Sequence, residues 1–266
     1  MGYVIINWGR DFMHGALLGD LAGSIYEFDQ TKKVHPVVMK ELIPEEAFFT
    51  DDSILTVAIC EAIKEHKDYE KTLREYISRY RDYHPDFQNT FDTPFSPRLL
   101  KWARGERRGT SAGNGAMMRI SPVGNLIHGE KEIINQAMLA TIPSHDCKES
   151  IWAATTIALM IYYFKCGYSK KDVYKQMGLP IHYEPFQTFN STCLDTIDNC
   201  LYAFYQSTGL EDAIERTLWM GGDTDTNCCI VGSLAEAYYG MDDSLKEQVE
   251  KKIPKEFVKV LHRPIQ

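Results

Sequence analysis

The amino-acid sequence predicts a compact, nearly all-α protein that forms a single domain over residues 1–266. Apolar residues recur at three- and four-residue spacing in segment after segment, which is typical of helices that pack one face on a core. Few stretches show the alternation typical of strands. The 44% apolar content supplies one large core, or at most two modest ones.

The clearest helical period follows an acidic pair, Asp51 and Asp52, and continues through Ile54, Ala58 and Ala62. Its apolar positions lie on one face of a helix, so we expect this helix to be buried on that side. Further helices are predicted at 73–80, 131–140, 151–164, 170–176, 192–205, 210–218, 228–239 and 245–252.

An irregular region is predicted at 83–115, where Pro85, Pro94, Pro97 and several glycines interrupt any helical period. Its length exceeds that of an ordinary connection. Such a loop either carries function or makes a surface excursion, and the sequence leaves both possibilities open.

The charge and the cysteine content exclude several classes of protein. A formal charge of −8 without a basic stripe argues against binding nucleic acid, except as a modified substrate. An anionic ligand would therefore need local positive charge. Seven cysteines without a Cys-x-x-Cys spacing indicate reduced thiols in a cytoplasmic protein, and Cys228 and Cys229 are expected to pack in a helix.

No segment predicts export or membrane insertion. The first residues lack a basic leader followed by an apolar stretch of signal-peptide length. The longest apolar run, 151–164, is too short to cross a hydrocarbon layer of about 30 Å as a helix. We interpret it as a buried core helix.

Two acidic clusters each precede a helix. The first is Thr50-Asp51-Asp52, and the second is Asp223-Thr224-Asp225-Thr226 behind a glycine pair. Either cluster could be an ordinary helix start, because hydroxyl and acidic side chains cap helix N-termini. Brought together, they would supply the oxygen ligands that hard divalent cations prefer, and a cation would relieve their mutual repulsion. The alternative is two solvated caps that lie far apart.

In order along the chain, several segments resemble the ADP-ribosylglycohydrolase family, which includes the dinitrogenase reductase-activating glycohydrolases. The matching segments are GALLGDLAGSIYE at 15–27, TDDS at 50–53, SAGNGAMMR at 111–119, His145 after Pro143-Ser144, and GGDTDT at 221–226. The resemblance covers nearly the whole chain. It implies a compact all-α fold with a binuclear magnesium or manganese centre in a cleft.

The resemblance also implies roles for individual residues. Six of them would hold two divalent cations, Mg²⁺ or Mn²⁺, namely Thr50, Asp51, Asp52, Asp223, Asp225 and Thr226. The adjacent acids would then divide between the cations, and Asp51 and Asp225 would be essential for catalysis. Glu27 matches a glutamate that reaches the metal site and has an acid/base role. Without the resemblance, Glu27 would be interpreted as a surface acid beyond a helix.

For substrate binding, the resemblance implies Ser111, Gly113, Asn114, Gly115 and His145. The Gly-Asn-Gly loop would bring backbone amides to the diphosphate and ribose of ADP-ribose. As a bare pattern it is only a turn. His145 would line the cleft, although a histidine at a predicted helix start is also common as a cap or core residue, and Asp146 could be that helix's N-cap.

One departure concerns the adenine. Some relatives carry an aromatic residue after the serine of this loop, whereas Ala112 stands here. Stacking on adenine must then come from elsewhere. The candidates in the irregular region are Tyr83, Phe87, Phe91, Phe95 and Trp102.

The sequence therefore predicts a metal-dependent hydrolase that cleaves the glycosidic bond between ADP-ribose and a modified side chain or small acceptor. Hydrolysis at the ribose C1 passes through an oxocarbenium-like state, which suits fixed ribose hydroxyls and an activated water. Two alternatives remain, a binuclear-metal phosphoesterase and a non-catalytic ADP-ribose-binding or structural member. The linkage that is cleaved is left open.

Overall fold

Helices account for the regular structure of residues 13–85 and 93–266, the parts of the chain that this computed structural model describes. The first helices are α1 (His14–Gly23), α2 (Glu27–Gln30), α3 (Asp51–Lys64), α4 (Tyr69–Tyr80), α5 (Pro97–Ala103), α6 (Gly115–Met118) and α7 (Ser121–Leu126). They are followed by α8 (Glu130–His145), α9 (Lys148–Lys165), α10 (Lys170–Met177), α11 (Cys193–Gln206), α12 (Leu210–Met220), α13 (Thr224–Tyr239), α14 (Asp243–Lys252) and α15 (Lys255–His262). The predicted all-α class is confirmed.

Every predicted helical segment coincides with a helix of the structure, to within a few residues at most ends and about five at the end of α8. These are α3, α4 and the continuous series α8–α14. The sequence analysis did not identify α1, α2, α5, α6, α7 or α15. Helix α1 is buried at every residue, so it lacks the polar face that makes a helical period visible.

Two predictions about local structure are wrong. The region 83–115 is not irregular throughout, because Ser96 caps α5 by accepting a hydrogen bond from the Leu99 amide at 3.3 Å. His145 is the last residue of α8 rather than the first of a helix, since α8 continues through Pro143. Asp146 follows as the C-cap of α8, and Cys147 is the N-cap of α9.

The closest helix pair is α1 and α13, which meet along small residues. A Cβ added at Gly15 would lie 2.3 Å from the carbonyl oxygen of Gly232, and one added at Gly19 would lie 1.9 Å from that of Cys228. These backbones therefore touch where any larger residue would clash. Gly232 takes part in the same contact, because a Cβ added there would lie 2.2 Å from the carbonyl oxygen of Gly15. As a result, α1 presents Asp20 directly to the start of α13.

The main hydrophobic core lies among α1, α3, α9 and α13, and a smaller apolar cluster lies beside it. Cys228 and Cys229 are buried in α13, as predicted, and all seven cysteines are free thiols. Among the described residues, no helix combines the length and the apolar character that crossing a membrane requires. The core holds the start of α3 and the start of α13 close together.

Candidate active site

The two acidic clusters, far apart in sequence, meet at the base of one cleft. One carboxylate oxygen from each of Asp20, Asp52 and Asp225 lies within 4.8 Å of the others. These three residues come from α1, α3 and α13, and all are buried. The two helix starts are therefore a single site rather than separate solvated caps.

Asp20 is the functional candidate that the sequence analysis missed. Its Oδ2 accepts hydrogen bonds from the amides of Thr50 at 2.9 Å and Ser53 at 3.0 Å, and from the Ser53 hydroxyl at 2.5 Å. Its Oδ1 accepts from the Thr50 hydroxyl at 2.8 Å. Asp20 thus ties α1 to the first turn of α3. Its only sequence signal was a single acid inside the apolar run 16–22.

A second carboxylate group consists of Glu27, Asp223 and Asp225, again within 4.8 Å of one another. Asp225 belongs to both groups, so the groups adjoin. Asn114 donates its side-chain amide to Asp223 Oδ2 at 2.8 Å. The side chain of Asn114, predicted to bind substrate, is therefore turned to an acid of the cleft base.

The predicted threonine ligands face the first group. The Thr50 hydroxyl and the Thr226 hydroxyl each lie 3.2 Å from Asp52 Oδ2. The amide of Thr226 donates to Asp225 Oδ1 at 2.9 Å. Hydroxyls and carboxylates at this spacing make an all-oxygen donor set, which suits magnesium or manganese.

Asp51 has a different position from Asp52. It lines the cleft and is partly exposed, whereas Asp52 is buried beneath it. Among the described residues, Asp51 belongs to neither of the two carboxylate groups. The structure thus separates the adjacent acids into one that faces the cleft and one that faces the interior.

Burial raises the pKa values of the acids in this centre. Burial raises the pKa of Asp20 to about 6, in spite of its hydrogen bonds from Ser53 and Thr50. Burial and repulsion by Asp223 and Asp51 raise the pKa of Glu27 to about 8. Carboxylates that are this crowded resist ionisation together unless positive charge is supplied.

The same causes act on the other acids. Burial and the charges of Asp20 and Asp223 raise the pKa of Asp51 to about 8, and Arg119 opposes this. Burial, together with repulsion by neighbouring acids, also raises the pKa values of Asp52 and Asp225 well above their usual range. A divalent cation would reverse this effect at every member.

The surroundings of one carboxylate oxygen show whether a cation would fit this site. Asp52 Oδ1 is buried and has no hydrogen-bond partner within residues 13–85 and 93–266. A buried carboxylate oxygen without a partner is costly, and an ion is one of the recognised explanations. The donor set and this orphaned oxygen both fit a divalent cation.

The opposite wall of the cleft is built from loops. Ser111 Oγ accepts from the amide of Gly113 at 3.1 Å, and the amide of Asn114 donates to the carbonyl of Ser191 at 2.8 Å. Those two amides therefore donate within the protein rather than into the cleft. Cβ atoms added at Gly113 and Gly115 would lie 3.8 and 3.5 Å from His145 Nε2, which is ordinary van der Waals contact, so the glycine loop lies beside this imidazole.

A buried arginine supports His145. Arg119 Nη2 donates to Ser144 Oγ at 2.5 Å, and Ser144 Oγ lies 2.8 Å from His145 Nδ1. Burial, with Arg119 and Arg98 nearby, holds the pKa of His145 well below its usual range. His145 is therefore neutral in the cleft, with Nδ1 engaged by Ser144 and Nε2 beside the glycine loop.

Positive charge stands at the exposed rim, on Arg98 and Arg108, and both residues line the cleft. Arg98 also donates to the carbonyl of Thr110 at 2.5 Å. The local charge that an anionic ligand needs is thus present on an acidic chain. The sequence analysis did not single out these arginines, because Arg98 lies in the short helix α5 and Arg108 in the loop after it, and neither segment was predicted as regular structure.

The aromatic candidates have different surroundings. Tyr83 stacks on Phe49 with ring centroids 4.3 Å apart, so it holds the loop down. Phe95 and Trp102 line the cleft but are buried, and Arg74 covers the Trp102 ring at 4.3 Å. Phe87 and Phe91 lie outside the described residues. Another lining aromatic, Phe189, is half-buried and was not predicted.

The cleft between the two walls has a volume of about 630 Å³, which is in the range of small-molecule sites. It has carboxylates at its base, a neutral histidine and glycines on one side, and arginines at its rim. This arrangement suits an elongated anionic ligand with hydroxyl groups at one end. The fold and the site define an all-α protein with a buried carboxylate centre.

Comparison with known proteins assigns the family. Residues 9–264 match the model of the ADP-ribosylglycohydrolase family, so the chain belongs to that family. The resemblance predicted from the motifs is confirmed, and with it the assignment to a family of hydrolases.

Individual relatives have low sequence identity to this chain, and two of the following three matches cover most of both chains. The chain is 25% identical over 286 residues to a protein of Acanthamoeba polyphaga mimivirus that is named as an ADP-ribosyl glycohydrolase, covering 86% of each chain. It is 28% identical over 140 residues to the ADP-ribosyl-[dinitrogen reductase] glycohydrolase of Rhodospirillum rubrum, covering 50% of this chain and 48% of that one. It is 22% identical to the human ADP-ribosylhydrolase ARH3, covering 88% and 85%.

The fold is shared with a solved structure. An ADP-ribosylglycohydrolase-related protein complex superposes with a TM-score of 0.72 at 20% identity, covering 97% of this chain and 98% of the other. The predicted fold type is therefore confirmed over nearly the whole length.

Proposed function

We propose that this protein is a cation-dependent hydrolase that releases ADP-ribose from a modified side chain or small acceptor. The observation that carries the proposal is the meeting of four chain segments, which bring Asp20, Glu27, Asp52, Asp223 and Asp225 to the base of one cleft. Family membership supplies the class of reaction.

Asp20, Asp52 and Asp225, with the hydroxyls of Thr50 and Thr226, would hold one cation. Glu27, Asp223 and Asp225 would hold a second. Bound divalent cations supply polarisation of ribose hydroxyls and a water of lowered pKa. The number of ions is part of the proposal, and it follows from the sharing of Asp225 between two adjoining groups.

We assign the proton transfer to Glu27. It lines the cleft, is half-buried, and stands at the edge of the carboxylate centre rather than beneath it. From there it would accept a proton from the attacking water as the bond to the ribose C1 breaks, and this proton would pass to the leaving acceptor, which departs with it toward the cleft mouth. Asp51, also on the cleft surface, fixes the ribose hydroxyls.

The loop wall would hold the rest of the ligand. Two amides of the glycine loop already donate to partners in the protein, so they would not be free to bind the diphosphate. Arg98 and Arg108 at the rim would neutralise it instead. His145 Nε2 faces the same part of the cleft. Phe189 offers the adenine a half-buried ring, which Ala112 does not.

The test is a panel of defined substrates, carrying ADP-ribose on arginine, on serine, on an acetyl group or on a nucleic-acid end, each with and without magnesium. Release of free ADP-ribose from at least one, only with the cation, is expected. Cleavage of a simple phosphodiester in its place would favour the phosphoesterase alternative. Binding of ADP-ribose without turnover on any substrate would favour a non-catalytic member.

A further inference from the structure

A second group of metal-ligating side chains lies away from the cleft. It consists of His14 at the start of α1, Glu250 in α14 and His262 at the end of α15. One ligand atom from each lies within 4.8 Å of the other two. None of these residues lines the cleft.

The two imidazoles converge on the same carboxylate oxygen. His14 Nε2 lies 2.8 Å from Glu250 Oε1, and His262 Nε2 lies 2.7 Å from it. We propose that His14, Glu250 and His262 form a site for a transition-metal cation such as zinc, which clamps α1 to the two C-terminal helices. Two imidazole nitrogens and one carboxylate oxygen are a common zinc donor set with room for a water ligand.

The geometry needs only a small change. Metal–ligand bonds of about 2.1 Å in a tetrahedron place neighbouring ligand atoms roughly 3.4 Å apart, so each imidazole nitrogen must move about 0.6–0.7 Å farther from Glu250 Oε1. His262 can supply this movement, because 59% of its side chain is exposed. His14 is 2% exposed and holds its end of the site in place.

The two ring nitrogens of His14 have different surroundings. Nε2 faces Glu250 and is the nitrogen that would bind the cation, whereas Nδ1 is buried and has no hydrogen-bond partner among the described residues. Burial, opposed by Glu250 and reinforced by Lys246 and His262, lowers the pKa of His14. The neutral imidazole is the form that binds a metal.

The donor chemistry separates this site from the carboxylate centre. The two carboxylate groups at the base of the cleft offer oxygen ligands, which suit magnesium, whereas imidazoles select zinc, cobalt or nickel. The two sites are nevertheless linked through α1, since His14 and Asp20 lie on the same buried helix. A cation here would fix α1 at its N-terminal end.

The experiment uses tag-free full-length protein in excess magnesium, which occupies the carboxylate centre, and titrates it with cobalt. Visible d–d absorption from a site with nitrogen and oxygen ligands should saturate at one equivalent. The same band is expected in His182→Ala, a control at an exposed histidine outside the cluster. It should be lost in His262→Ala, and in Glu250→Gln the affinity should fall at least tenfold.

A thermal measurement complements the spectrum. Zinc should raise the unfolding temperature of the wild type and of His182→Ala, and should leave that of His262→Ala unchanged. The proposal is overturned if no band appears, if His262→Ala keeps it, or if a sulfur-to-cobalt charge-transfer band shows that cysteines bind the ion. Neither readout depends on turnover, so failure here would leave the proposed hydrolase activity standing.

Discussion

The two walls of the cleft are built in different ways. The carboxylate wall is the base of the cleft, which carries the acidic side chains, and it comes from α2 and the ends of α1, α3 and α13. Close backbone packing at Gly15 and Gly19 fixes α1 against α13. The loop wall comes from segments between helices together with α5 and the end of α8, and it carries exposed arginines and a half-buried aromatic ring. We therefore expect the carboxylate wall to supply the chemistry and the loop wall to supply ligand selection.

The largest effect is expected on the carboxylate wall, at Glu27. Glu27→Gln keeps the shape but loses the titratable proton, so turnover should fall by roughly 10²- to 10⁴-fold. Binding of free ADP-ribose should persist, because the other ligands remain. Single-turnover kinetics beside calorimetry of ADP-ribose binding separates the two effects. Near-normal turnover would remove Glu27 from the mechanism, and loss of binding alone would make it a binding residue.

The next effect tests the rigidity of this wall. Gly19→Ala places a methyl group 1.9 Å from the carbonyl oxygen of Cys228, so the helices must separate. A loss of about 3 kcal/mol in the free energy of unfolding is expected, together with reduced turnover from displacement of Asp20. Gly209→Ala is the matched control, since an added Cβ there has open space. Equal denaturation midpoints for the two variants would show that the close approach is unimportant.

A smaller effect is expected on the loop wall. Arg98→Gln removes one charge at the rim, so KM should rise about tenfold while kcat changes little. Arg104→Gln is the control, because Arg104 is also exposed but pairs with Glu106 away from the cleft. A fall in kcat without a change in KM would show that Arg98 acts in the chemical step, which would contradict the assignment of ligand binding to the loop wall.

The smallest effect is on the pH dependence of stability in chelator. Burial and repulsion by Asp20 and Asp223 raise the pKa of Asp51 from its usual 3.8 to about 8. An acid with a raised folded-state pKa stabilises the fold below the unfolded-state pKa, and this contribution is lost as pH rises to the folded-state value.

Asp51→Asn should therefore gain thermal stability relative to the wild type between about pH 4 and pH 8, with the difference levelling off above. Magnesium should shrink the difference. Melting curves of both proteins over this pH range, in chelator and in magnesium, give the result. A constant difference across the range would show that Asp51 does not titrate with the centre.

The sequence predicted one wall better than the other. The helices behind Asp51 and Asp225 have strong apolar periods, and the acids precede them in recognisable order, so local pattern located both clusters. Asp20 was missed because its partners, Thr50 and Ser53, are about 30 residues away and only packing brings them together. A single buried acid in an apolar helix has no local signal of its role.

The loop wall could not be predicted in the same way. His145 was named by resemblance, but its placement at the end of α8 depends on Pro143 being accommodated within that helix. The support from Arg119 through Ser144 depends on contacts across 25 residues. Phe189 belongs to a stretch without periodicity, and Arg98 to a helix of seven residues, which is too short to show a helical period.

The central claim is that the carboxylate wall works as a divalent-cation centre for release of ADP-ribose. The most direct test is a magnesium titration of ADP-ribose release, from full chelation upward, on the wild type and on Asp225→Asn, whose side chain belongs to both carboxylate groups. We expect no release of ADP-ribose in chelator and saturable restoration of release by magnesium in the wild type. In Asp225→Asn, the restored rate should be lower by about 10³-fold or more. Full release by the wild type in chelator would contradict it.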